Sequence, residues 1–129
     1  MIASRPPVPA DRQLVQAYEP GGFRVSGVRH RGSLLVFPEA ALAWAAATLD
    51  EVDLMSLEAV VAHEPRVEIL LLGGGAGFRP VPPALRQALR ERGIVVEPMT
   101  TPAACRTYNI LLAEERRVAA ALIAMPPPA

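Results

Sequence analysis

Two apolar runs set the frame of the chain. Val67 to Leu72 and Val118 to Ala124 are almost wholly apolar over strand length, which predicts strands buried on both faces. The first run ends in Gly73, Gly74 and Gly75. Pro82 and Pro83 then suit the start of a helix whose Leu85, Ala88 and Leu89 form an apolar stripe ahead of a Gly93 C-cap. Ile94 to Glu97 reads as the next strand, so residues 67–97 make a βαβ crossover with parallel strands.

Thr101 fits an N-cap and Pro102 a first helical residue for a helix reaching about Ala113, with Ala104, Tyr108, Leu111 and Leu112 on one face. The chain then turns through Glu114 to Arg117. Nearer the N-terminus, Phe23 to Val28 alternates apolar and polar residues and Ser33 to Phe37 is apolar. An Arg-His-Arg-Gly turn between them predicts a β-hairpin. Leu14 to Tyr18 reads as a separate short strand or extended lead-in. Residues 39–49 favour helix by alanine content without excluding an extended segment. Asp53 looks like the N-cap of a helix over Leu54 to Glu64, stopped by Pro65, with Leu54, Leu57 and Val61 facing the core. The alternation of elements gives an α/β domain with a mixed sheet covered by helices.

Composition narrows the classes. With 129 residues, 51% hydrophobic, 20% charged and no formal net charge, the chain has the profile of one folded domain. Six of its 14 prolines sit at 6, 7, 9, 126, 127 and 128. They mark a flexible arm over 1–12 and a Pro-rich tail over 126–129 around a single domain at 13–125. All 13 basic residues are arginine, and the neutral balance argues against nucleic acid as a partner. No apolar stretch is long enough to span a membrane. A lone cysteine, Cys105, excludes an intrachain disulfide framework and sets a cytoplasmic expectation.

Candidate chemistry is sparse. The stretch LGGGAGFRP lies between a strand and a helix, where doubly wound folds bind phosphates. It matches neither G-x-G-x-x-G, because Phe78 occupies the last position, nor the Walker pattern. Its plainer reading is a tight turn. Thr101, Cys105 and Arg106 gather near a helix N-terminus, which attracts anions and lowers a thiol pKa; their plainer reading is a cap, a small core residue and a paired arginine. Arg106 and Asn109, beside Tyr108, add a polar cluster. His30, His63 and Cys105 have no metal-ligand spacing, no G-x-S-x-G elbow occurs, and no cofactor is expected. Because the glycine loop and the Thr101 helix both follow parallel strands, Gly73, Gly74, Gly75, Arg79, Thr101, Cys105, Arg106, Tyr108 and Asn109 are expected to share a crevice for a ligand or partner. That crevice lies at the C-terminal sheet edge.

The segments PGGFRVSGVRHRGSLLVFP, VEILLLGGGAGFRPVPPALRQALRERGI and EPMTTPAACRTYNILLAEERRVAAALI, with Trp44, resemble the small Mth-type α/β domain family. That family includes the mitochondrial complex I assembly factor and the adipogenesis-associated Mth-domain protein. The likeness runs from about Tyr18 and is most specific over Ala104 to Asn109 and Arg116 to Ala119. It implies a three-layer fold, supplies no catalytic residues, and favours a non-enzymatic assembly or interaction factor, with respiratory complex assembly as one such role, over a small-molecule or anion-binding domain or unrecognised enzyme. A homodimer is a further expectation. Two positions depart from the family: Ala43 and Ala45 stand beside Trp44 where relatives often carry proline, and Glu115 stands where glycine is common.

Overall fold

The computed structural model describes residues 12–126; the predicted arm over 1–11 and the tail over 127–129 lie outside the described residues. Its strands are β1 (Val15–Glu19), β2 (Gly22–Val25), β3 (Val28–Arg31), β4 (Leu34–Val36), β5 (Ala41–Ala43), β6 (Ile69–Gly73), β7 (Val95–Met99) and β8 (Val118–Leu122). Its helices are α1 (Glu58–Val61), α2 (Pro83–Arg90) and α3 (Thr101–Ala113). A five-stranded sheet runs β5-β4-β8-β6-β7, and β1-β2-β3 form a second, antiparallel sheet. In the main sheet β8, β6 and β7 are mutually parallel, while β4 is antiparallel to both β5 and β8.

The middle strand explains the three layers. All five residues of β8 are buried, and alternate side chains serve opposite faces. Val118, Ala120 and Leu122 pack with Leu34, Val36 and Leu71 against Ala104, Tyr108 and Leu112 of α3 and against Phe23 and Val25 of the small sheet. Ala119, Ala121 and Ile123 pack on the other side with Leu70, Leu72, Leu57, Val60, Leu85 and Leu89. Alanines let helices approach both faces closely.

The α/β class, the mixed central sheet and the 67–97 crossover agree with the sequence, with β6 and β7 parallel in register from Ile69↔Val95 to Gly73↔Met99. The hairpin does not fall where expected. Its turn is Ser26-Gly27, with φ of 45° and 84°, between β2 and β3. Arg29, His30 and Arg31 are therefore strand residues rather than turn residues. Positive φ at both central positions matches the right-handed twist of a hairpin. Gly32, at φ 82°, instead carries the chain out of the small sheet into the large one. Leu14 to Tyr18 resolves as β1.

Within 39–49 only Ala41–Ala43 is regular, as strand β5: β4 and β5 pair from Leu34↔Ala43 to Val36↔Ala41 around a turn at Pro38-Glu39, and Leu49 opens a 3₁₀ turn at Leu49–Glu51. Strand pairing overrides the weak helical preference of alanine. The helix expected over Leu54 to Glu64 is reduced to a 3₁₀ turn at Met55–Leu57 and the four residues of α1. The turn's N-cap is Leu54 rather than Asp53, although Asp53 Oδ1, one residue earlier, accepts from Ser56 N at 2.8 Å. Trp44 is 7% exposed, and its Nε1 donates to Ser56 O at 2.8 Å, so its ring fastens this short segment to the core. Arg12, assigned by the sequence to the arm, joins the fold: its carbonyl accepts from Ser26 Oγ at 3.0 Å and its guanidinium meets Glu39 at 3.1 Å.

At the end of α3, Glu115 N–H reaches Leu112 O and Arg116 N–H reaches Leu111 O, each at 3.0 Å. This is a Schellman closure, and it places Glu115 at φ 59°, a conformation suited to glycine. Glu115→Gly is expected to raise stability by up to about 1 kcal/mol, read as a higher denaturation midpoint in urea at unchanged m-value. An unaltered or lower midpoint would mean that contacts of the Glu115 side chain offset the backbone strain.

Candidate functional site

At the C-terminal edge of the parallel strands, the end of β6 carries the glycine loop. Gly73 N–H and C=O belong to the sheet, and a Cβ on Gly73 would stand 3.0 Å from the Thr101 Cα, so glycine here lets α3 begin directly against the strand. A Cβ on Gly74 would meet Gly77 O at 2.6 Å and Leu49 Cδ1 at 2.9 Å. Gly75 sits at φ 83°. Each glycine thus has a steric or conformational cause within the fold.

Thr101 closes this edge. Thr100, rather than Thr101, is the N-cap of α3, its Oγ1 accepting from Ala103 N at 3.3 Å. The Thr101 side chain turns inward and is fully buried. Its Oγ1 donates to Ile123 O at 2.7 Å and accepts from Gly75 N at 2.8 Å, while Thr101 N donates to Gly75 O at 2.8 Å. Gly74 N is committed to Met99 O at 2.9 Å. Two amides that could have cradled a phosphate are therefore spent on the fold.

What remains is a groove of about 520 Å³ lined by Gly74, Gly75, Arg79, Leu49 and Ile123, together with Gly32, Ser33 and Met125. Its floor is mostly apolar, and the loop beside it leaves Phe78 58% exposed. Arg79 leans outward to Asp50 at 2.9 Å, an exposed pair that adds little stability.

The other candidates lie elsewhere. Cys105, Arg106 and Asn109 line a separate recess of about 280 Å³ with Val15, Gln16 and Tyr18 of β1. From Thr101 to Asn109 the helix climbs about 12 Å away from the sheet edge. Asn109 is occupied in structure: its Oδ1 accepts from Val15 N at 3.0 Å and its Nδ2 donates to Val15 O at 2.7 Å, acting as a strand partner for β1. Tyr108 is fully buried and its hydroxyl donates to Gln13 O at 3.0 Å. Burial, reinforced by Glu39 and opposed by Arg12, raises the Tyr108 pKa. Burial likewise pushes the Cys105 thiol up to about 12, with Arg106 only partly offsetting it. The helix N-terminus does not win against desolvation.

Sequence reasoning missed a third concave region at the opposite sheet edge, where Arg12, Glu39 and His63 form a chain of contacts. His63 stacks on Phe37 with centroids 4.2 Å apart, and its Nε2 lies 3.2 Å from Glu39 Oε1. These residues are widely separated in sequence, so no local spacing announces them. Among the described residues no group of three or more His, Cys, Asp or Glu is placed to hold a metal, and no helix is long and apolar enough to cross a membrane.

A family described as "Protein of unknown function (DUF498/DUF598)" matches residues 15–123. An uncharacterised Rhodobacter capsulatus protein is 42% identical over 97% of this chain and 95% of its own length. The zebrafish NADH dehydrogenase [ubiquinone] 1 alpha subcomplex assembly factor 3 is 39% identical over 90% of this chain. The chain spans 66% of that factor's length and 58% of the Drosophila one. Among solved structures, a Bartonella henselae protein described as an outer membrane protein superposes with a TM-score of 0.82 at 35% identity, covering 90% of this chain and 98% of that one. A Bordetella pertussis protein described as an Mth938-like domain gives 0.78 at 29% identity, covering 98% and 94%.

Three outcomes check the local chemistry. Thr101→Val keeps the shape but strands the Gly75 N–H and the Ile123 C=O, and is expected to cost about 2–4 kcal/mol in chemical denaturation; a loss under about 1 kcal/mol would show the edge can re-pair without the hydroxyl. At pH 8 native Cys105 is expected to react with iodoacetamide about a thousandfold more slowly than in the urea-unfolded chain. The raised folded pKa also means that the Cys105 contribution to stability is intact below about pH 9 and is lost as pH climbs toward about 12. Alkaline denaturation of Cys105→Ala should begin at higher pH than that of the wild type.

Proposed function

The chain belongs to the DUF498/DUF598 family, and from that premise we propose that it is a non-enzymatic protein-interaction factor serving the assembly of a multi-subunit complex. One observation carries the reading: the groove at the C-terminal sheet edge offers a partner apolar surface beside the exposed Phe78 and Arg79, while the polar groups beneath it are already paired. Exposed aromatic and arginine side chains next to an apolar recess are the anchors that protein interfaces use. A buried, protonated Cys105 and a buried Tyr108 committed to Gln13 supply no nucleophile or base to this surface.

The similarity to assembly factors named for NADH dehydrogenase supports the finer proposal, in which the partner is a subunit of a respiratory complex; the location proposed with it is the cytoplasm. Assembly is compatible with a partner held transiently, since a surface with one aromatic anchor and a polar rim suits release as well as capture.

An affinity-tagged pull-down from the native host, with soluble and membrane fractions separated and read by mass spectrometry, tests both levels. Recovery of NADH dehydrogenase subunits is the expected outcome. Phe78→Ala, at a position 58% exposed, should leave folding intact and weaken recovery by about 2 kcal/mol or ~30-fold in affinity. Partners outside respiratory complexes would remove the finer proposal, and no specific partner, or an undiminished set with Phe78→Ala, would remove this surface from the role.

A further inference from the structure

The third concave region, with a chemistry of its own, lies where β6 and β8 begin and α3 ends, opposite the groove described above. It measures about 200 Å³. Its lower wall is apolar: Val67 and Leu112 are each 3% exposed, with Pro38 and Pro65 beside them. Its rim is cationic, lined by Arg12, Arg66, Arg116 and Arg117 against two carboxylates, Glu39 and Glu115.

The charges are not balanced within the rim. Glu39 is paired with Arg12 at 3.1 Å and also lies 3.2 Å from His63 Nε2. Arg117 has only a 4.0 Å contact with Glu68, and among the described residues Arg66 and Arg116 have no carboxylate within ion-pair distance. Arg66 lines the cavity while its guanidinium enters the space that Gly93, lacking a Cβ, leaves open beside it. The end of α3 would ordinarily repel an anion here. Its carbonyls at Ile110, Leu111 and Leu112, however, already accept from Glu114, Glu115 and Arg116, and two arginines follow at once.

From this combination we infer that the cavity binds a small oxyanion carrying a ring-sized apolar body, of the class of aromatic carboxylates and aryl phosphate esters. The cleft, about 200 Å³ and open to solvent, has room for a ring, since even an enclosed cavity of about 150 Å³ accommodates benzene. The guanidinium fork matches carboxylate or phosphate oxygens in a bidentate manner, and the apolar wall takes the body. His63, stacked flat on Phe37 with Nδ1 3.0 Å from Pro65 O, forms a fixed side of the cleft rather than a free rotor.

Amide chemical-shift titrations of the full-length ¹⁵N-labelled protein test this. Benzoate is expected to shift the amides of Val67, Leu112 and Arg117 in one saturable process. Neutral benzamide should bind about tenfold more weakly, and Arg66→Gln/Arg116→Gln should weaken benzoate by a similar factor while the remaining spectrum is preserved. Phenyl phosphate should bind more tightly than inorganic phosphate. Benzamide equal to benzoate would overturn anion recognition, and inorganic phosphate equal to phenyl phosphate would overturn the role of the apolar wall. Shifts that miss the cavity, or do not saturate, would overturn the site.

Discussion

One hydroxyl group governs the upper edge of this fold. The Thr101 side chain is fully buried at the point where β6 ends, α3 begins and β8 finishes, and it bonds to the loop after the first and the strand end of the third. Ile123 N donates back to Gly73 O at 2.9 Å, so the three elements close around a small set of bonds. The rest follows from that closure. Residue 73 must be glycine because α3 starts 3.0 Å from where its Cβ would stand, and Gly75 must turn at positive φ to present its amide to the hydroxyl. Paired inward, the loop amides leave an apolar groove where a related topology would leave a phosphate cradle.

A similar economy operates on the lower half of α3. Asn109 gives both amide functions to Val15 and Tyr108 gives its hydroxyl to Gln13, so two polar residues in an apolar helix dock the small sheet rather than a ligand. Buried polar groups must find partners, and an N-terminal strand with a free edge is the nearest source of them. Polar residues clustered on a helix therefore carry little functional information until it is known which backbone they face.

Legibility in the sequence tracked how local the deciding interaction was. The apolar runs of β6 and β8 and the Pro83-to-Gly93 unit are governed by burial and by the neighbouring residues' backbone preferences, and the βαβ crossover was readable from them. The Ser26-Gly27 turn competed with Gly32, and both have positive φ; only pairing to β1 and the crossing to β4 decide which one is the hairpin. The Ala41–Ala43 strand is extended because Leu34–Val36 lies beside it, a fact absent from its own composition. The single expected crevice divided into two recesses because α3 carries Cys105, Arg106 and Asn109 toward β1, and periodicity gives a helix face without naming its neighbour. The cationic cavity is the extreme case, assembled from residues near 12, 39, 63 and 116 that only the closed sheet brings together.

The proposed interaction role draws on the side chains the surface carries. The Cys105 thiol is desolvated to about 12 and lies against β1, while arginines, a half-buried histidine beside a carboxylate and an exposed aromatic ring stand at the surface. Arginine and aromatic side chains on a rigid frame recognise well because little conformational freedom is lost on binding. Placing one such surface at each end of a fully buried central strand lets a small domain offer two independent contacts without either disturbing the core. In the proposed role, the groove would engage a partner while the cavity at the other end takes a small anion.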